Sequence, residues 1–135
     1  MADVVAGPES GSTVLYELTA TTATHTKSVV SPLWAKGALI LVNATAETDS
    51  AIVTITMQVM DADGSYNSLY WTADATISAV GDTSWLFYPQ GDVTANKELG
   101  VTESVNAPIP RDFQLTLTHT DADNLTYSIY IQWLP

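Results

Sequence analysis

Between Ala51 and Asp61 the chain reads AIVTITMQVMD, and apolar and polar side chains take strict turns. Val53, Ile55, Met57 and Val59 point one way, Thr54, Thr56 and Gln58 the other. A period of two is the signature of a strand with one face buried and one face wet. The same alternation runs through Phe113, Leu115 and Leu117, with His119 continuing that face. It returns after Asp121–Asn124 in Leu125, Tyr127, Ile129, Ile131 and Trp133. The intervening Gln114, Thr116, Thr118, Thr126, Ser128, Tyr130 and Gln132 face water or a neighbour.

Further strands are expected at Thr13–Thr21, near Ser28–Val30, at Gly37–Ala46, in NSLYWTA (67–73) and in SWLFYP (84–89). Turn residues separate them: Glu47-Thr48-Asp49-Ser50, Asp61-Ala62-Asp63-Gly64 and Gly81-Asp82-Thr83. Residues Gln90 to Pro110 hold Gly91, Gly100, Pro108 and Pro110 and read as a long loop with at most a short strand. No segment carries a helical stripe. Roughly six to nine strands at this spacing predict an all-β fold, a two-sheet antiparallel sandwich of the jelly-roll kind. Its core is expected to hold Val53, Ile55, Phe113, Leu115, Leu117, Ile129 and Ile131.

The length of 135 residues fits one domain with one core. Residues 1–12, MADVVAGPESGS, hold two glycines, a proline and two serines around Val4-Val5, and are expected to form an extended arm ahead of a single sandwich domain, 13–135. The arm has too little apolar surface to order itself. Val4 and Val5 are its candidate contact residues, able to add to the exposed sheet edge of a partner subunit. The start of the chain has neither the basic nor the apolar region of a secretory signal, and no apolar run approaches the ~20 residues of a spanning helix.

Charge narrows the function classes. Fifteen Asp and Glu against four Lys and Arg give a formal net charge of −11. Lys27, Lys36, Lys97 and Arg111 are too few and too scattered to neutralise a phosphate backbone, so nucleic acid is not an expected partner. The same acidity repels anionic membrane surfaces. Only 14% of residues are charged, well below the usual quarter. The solvent faces must therefore be built largely from Thr, Ser, Asn and Gln.

Candidate chemistry is sparse. Cysteine is absent, which removes disulfides and thiolate nucleophiles. Asp61 and Asp63 are the nearest approach to a metal site, because closely spaced carboxylates on a loop supply hard oxygen ligands for calcium. They lack the spacing of a helix-flanked calcium loop, and a solvated hairpin corner uses the same residues. DADGSYNSLYW (61–71) and DADNLTYSIYI (121–131) share D-A-D and, four residues on, S-[LI]-Y. Duplicated hairpins or ordinary turn chemistry would each give that echo. His25 and His119 have no zinc-ligand spacing. No nucleophile elbow or phosphate-cradling loop is present, and neither catalysis nor a cofactor is expected. Trp34, Trp71, Trp85 and Tyr88 are the candidates for a platform that stacks on sugar rings. Alternation sends Trp85 with Phe87, and Trp133 with Ile131, toward the core instead.

Four separate stretches carry a resemblance. They are G-A-x-x-x-x-N-V/A-T at Gly37–Thr45, V-T-[IV]-x-[MV]-Q at Val53–Gln58, P-R-x-[FW] at Pro110–Phe113 and H-x-D-A-D-[SN]-[IL]-T-Y-S at His119–Ser128. In these, over about residues 35 to 135, the chain resembles small β-rich virion proteins encoded among the head genes of tailed bacteriophages. The resemblance implies a capsid decoration or cement protein, made in the host cytoplasm and carried on the capsid surface of the virion. Its implied partners are the major capsid protein lattice and itself, as a homotrimer. It names no active site and no cofactor. A neck or tail station and a virion-displayed carbohydrate-binding module are the alternative expectations.

Overall fold

A computed structural model describes residues 4–5, 12–21, 23–47, 52–74, 76–78, 80–89, 102–120 and 124–135. Ten strands are described: β1 (Val4–Val5), β2 (Ser12–Thr21), β3 (His25–Val30), β4 (Gly37–Glu47), β5 (Val53–Val59), β6 (Ser68–Thr72), β7 (Gly81–Phe87), β8 (Glu103–Val105), β9 (Asp112–His119) and β10 (Leu125–Leu134). The described residues contain no helix. The strands form two sheets, ordered β1-β3-β9-β5-β6 and β2-β10-β4-β7-β8. Each has a four-stranded antiparallel body, and β1 and β8 lie parallel at the edges.

The pairings are nested. Strand β2 pairs with β10, β3 with β9, β4 with β7, and β5 with β6. The chain is thus one long antiparallel ribbon with its apex at the Asp61-Ala62-Asp63-Gly64 turn, rolled so that alternate pairs enter opposite sheets. Strand β10 then seals against β4, and β9 against β5. This is the jelly roll that the turn spacing predicts.

Packing follows the period of two. Val53, Ile55 and Met57 of β5 meet Phe113, Leu115 and Leu117 of β9, and Ile40, Val42, Ile129, Ile131 and Trp133 cover them from the other sheet; all are buried. Every predicted core residue lies there. Strand β3 runs further than the expected Ser28–Val30, starting at His25. It brings the inward-facing Lys27, 5% exposed, opposite Leu115. An inward charge is one way a strand near a sheet edge avoids pairing with foreign chains. Two residues of the expected arm, Val4 and Val5, pair with Val29 and Val30 of their own chain, and Ser12 already belongs to β2. Of the long segment 90–110, the part that is described contains the short strand β8.

Candidate interaction surfaces

The two outer faces of the sandwich differ in chemistry. On the β3-β9-β5 sheet, Thr26, Ser28, Thr54, Thr56, Gln58, Gln114, Thr116 and Thr118 alternate with the core residues and are in part tied to one another. Gln58 donates to Thr56 Oγ1 at 2.9 Å and accepts from the Thr116 hydroxyl at 3.0 Å. Those three side chains link β5 to β9 across a face whose outward positions are polar.

The opposite face carries an apolar patch at one end, among polar positions such as Asn43, Asp82, Ser84, Thr126 and Ser128. Leu39 and Leu41 of β4 point outward, with Leu86 of β7 opposite Leu39 and Tyr130 of β10 opposite Leu41. Leu39, Leu41, Tyr130 and Gln132 line an open recess of about 280 Å³. Asn43, next along the same face, donates from its amide to the Asp82 carboxylate, setting an exposed acid beside the recess. An antiparallel sheet with a wet outer face ordinarily alternates apolar and polar. Ala38–Val42 instead runs apolar without a break, so β4 presents hydrocarbon on both sides. That unbroken run is the sequence signal for a contact on this face, and an expectation of no more than a strand at Gly37–Ala46 passes over it.

A second exposed apolar feature is the β3–β4 turn, Pro32-Leu33-Trp34-Ala35, closed by the Ala35 amide on the Pro32 carbonyl at 3.1 Å. Leu33 at its tip is 87% exposed and Trp34 38%. The base of the turn is firmly held. Ser31 receives the Arg111 guanidinium on its carbonyl and donates its hydroxyl to the Pro110 carbonyl at 3.0 Å, and the Lys36 amide donates to the Leu134 carbonyl at 2.8 Å. Lys36 and Arg111 flank the tip and are exposed.

Asp61 and Asp63 shape their own hairpin corner: Asp61 Oδ1 accepts from the Asp63 and Ser65 amides at 3.2 and 3.3 Å, and Asp63 Oδ1 from the Ser65 amide at 2.9 Å. Gly64 completes the corner at φ 87°, a left-handed conformation that glycine adopts without penalty. Hydrogen bonding with the Asp61 side chain, and with Ser65, holds the Asp63 carboxyl below its ordinary range. No cluster of three or more acids, histidines or cysteines suited to a metal occurs among the described residues. The second Asp-Ala-Asp, 121–123, lies outside the described residues. His119 Nε2 and the Tyr127 hydroxyl are 3.0 Å apart and their rings stack, and His25 lies edge-on to His119.

Of the four aromatic candidates for a sugar platform, Trp71 and Trp85 meet, as part of the core packing. Trp85 is fully buried, and Trp71 packs edge-on against it and against Phe87, with ring centroids 5.9 and 4.9 Å apart. Tyr88 donates its hydroxyl to the Pro135 carbonyl at 2.8 Å. Trp34 is 38% exposed on its turn. The indole Nε1 of Trp85 is buried without a hydrogen bond of ordinary geometry among the described residues. Near it, burial pushes the Glu103 carboxyl upward and the Asp74 carboxylate adds to the shift, whereas the Asp74 amide, 3.2 Å from Oε1, and the Trp85 indole draw it back. On the same edge the Tyr70 hydroxyl, raised in pKa by its burial, donates to the Pro108 carbonyl at 2.6 Å.

No family model, curated protein or solved structure matches the chain.

Proposed function

We propose that the chain is a non-enzymatic virion structural protein, a capsid decoration or cement protein that binds the assembled major capsid protein lattice as a homo-oligomer, in the first instance a trimer, and stabilises the head. The observation that carries this reading is the unequal pair of outer faces on a closed jelly roll. One face is built from Thr, Ser and Gln, partly hydrogen-bonded to one another, while the other leaves Leu39, Leu41 and Tyr130 around an apolar recess. A contiguous apolar area on a sheet face marks a surface that meets another protein. The resemblance at Gly37–Thr45, Val53–Gln58, Pro110–Phe113 and His119–Ser128 supplies the virion context.

The physical demands of cementing fit this chain. A rigid unit loses little entropy on docking, and many weak copies acting across a shell add up through multivalency. The net charge of −11 keeps a densely covered surface soluble.

The test is direct: incubate purified protein with heads lacking it, sediment the particles and measure bound protein and the temperature at which the heads open. Saturable binding with a raised opening temperature is expected. Absence of binding at micromolar protein would overturn the reading. Labelling the chain in whole particles separates a head position from a neck or tail one. A glycan array tests the carbohydrate alternative: strong selective sugar binding that is lost on replacing Trp34, Trp71 or Tyr88 would favour it.

A further inference from the structure

We propose that copies of this chain join through a knob and a hole: the Leu33 tip of the β3–β4 turn enters the recess lined by Leu39, Leu41, Tyr130 and Gln132 on a second copy. The inference deepens the homo-oligomer part of the proposed function and does not depend on the capsid part.

Shape is the first argument. Leu33 is the most exposed large apolar side chain among the described residues, at 87%, and it sits on a turn whose base is fixed by Ser31, Arg111 and Lys36. A knob on a rigid base gives up little freedom on insertion. The recess, about 280 Å³ and open to solvent, has room for one leucine side chain with part of the adjoining Trp34 ring. Its floor is hydrocarbon, and its rim offers the Tyr130 hydroxyl and the Gln132 amide to a turn's backbone.

Charge is the second argument, and it selects the partner. Two of the chain's four cations, Lys36 and Arg111, flank the knob and are exposed, whereas Lys27 is buried. The knob is thus a locally basic spot on a chain of net charge −11. The recess carries the exposed Asp82 beside Asn43 on the same sheet face. A basic-rimmed knob and an acid-rimmed hole attract each other and give register, while the remaining acidic surfaces of two copies repel. A second copy satisfies both features at once.

Because knob and hole are different patches, each copy can give and receive. The contact either closes a ring or, if two copies exchange knobs, forms a reciprocal dimer.

The absence of cysteine allows a clean test on the full chain. Leu33→Cys and Gln132→Cys, both at exposed positions, are made singly and together and oxidised mildly. The double variant should form intermolecular disulfides, running to a covalent trimer for a ring or stopping at a dimer for a reciprocal exchange, while each single variant stays largely monomeric on a non-reducing gel. Sedimentation of wild type against Leu33→Asp and Leu41→Asp should show association weakened roughly tenfold or more in each, with partial recovery when the two variants are mixed, since one retains the hole and the other the knob. A wild-type chain that stays monomeric at high micromolar concentration overturns the proposal, as does a double-cysteine variant that links no better than the singles. Head binding by a monomeric chain would leave the cementing role standing and remove only this contact.

Discussion

Trp71 meets Phe87 edge-on with ring centroids 4.9 Å apart, joining β6 of one sheet to β7 of the other. Edge-to-face pairs contribute about 0.5–1.5 kcal/mol beyond their buried area. Trp71 is only half-buried, so water can refill part of the space it leaves. Leu117, on β9 and fully enclosed, has no such relief. Leu117→Ala should therefore lower the unfolding free energy by ~2–5 kcal/mol, and Trp71→Ala by a smaller amount, both read from denaturant melts. Equal losses would show that the β6 edge is packed as tightly as the centre.

Two glycines separate steric from conformational cost. A Cβ on Gly37 would run into the Phe87 carbonyl and the Tyr88 ring, and the backbone between β4 and β7 would have to part. A Cβ on Gly64 meets nothing, leaving only the penalty of a left-handed φ, about 1–2 kcal/mol. Gly37→Ala should be markedly the more destabilising in a thermal melt. The reverse order would mean that the corner at the ribbon's apex governs folding more than the β4–β7 seam does.

These contrasts show what could be read from the sequence. Strands β5, β9 and β10 were legible because Val53–Val59, Phe113–Leu117 and Leu125–Trp133 alternate strictly, and alternation fixes which face is buried. The closed roll followed from turns at regular spacing. The start of β3 at His25 was not legible, since Lys27 points inward against the usual preference of a charge for water. The apolar outer patch was written in Ala38–Val42, but a run without alternation fits a buried strand as well as a binding face, and only the sheet order shows that no strand or sheet covers it among the described residues. Leu33 gave no warning at all, because a turn tip has no periodicity to break, and Trp34 stood out only as an aromatic able to stack on a sugar ring. Asp61 and Asp63 illustrate the opposite limit: the same residue types serve a calcium loop and a hairpin corner, and only the structure shows their Oδ1 atoms accepting the turn's own amides.

The Glu103 carboxyl carries a pH signature. Its pKa is raised on folding, chiefly by burial, so its protonated form suits the folded state. Whatever it contributes is present below the ordinary glutamate range and is lost as pH rises through the raised value. Glu103→Gln keeps an oxygen for the Asp74 amide without the charge. The variant should melt higher than wild type near neutral pH, and the difference should shrink as pH falls below about 4.5. A difference that widens in acid would mean that the charged form is the one the fold prefers.

Calcium gives a separate check on the corner at Asp61 and Asp63. One oxygen of each carboxylate, Oδ1, already accepts the Asp63 and Ser65 amides, which orients both side chains toward their own turn. Millimolar calcium should leave the melting temperature of the full chain unmoved at constant ionic strength. A calcium-dependent rise abolished by Asp63→Asn would reassign the corner as a binding loop.

The arm makes the last prediction. Val4 and Val5 pair with Val29 and Val30 at the edge of the β3-β9-β5-β6 sheet, a contact of two residues in parallel register. So short a strand contributes little to cooperative stability. Its larger effect is to occupy an edge that would otherwise offer unpaired amides and carbonyls to another chain. The same backbone groups of Val4 and Val5 could exchange their own edge for that of a neighbouring subunit at almost no net cost, because the bonds lost and gained are alike. Deleting residues 1–5 should shift the melting temperature by less than the roughly 4 °C expected for 1 kcal/mol in a domain of this size, yet weaken retention on particles or promote association through the bared β3 edge. Particle sedimentation and light scattering of the truncated chain measure the two effects. If it melts, associates and decorates as the full chain does, the arm neither guards the edge nor reaches a partner.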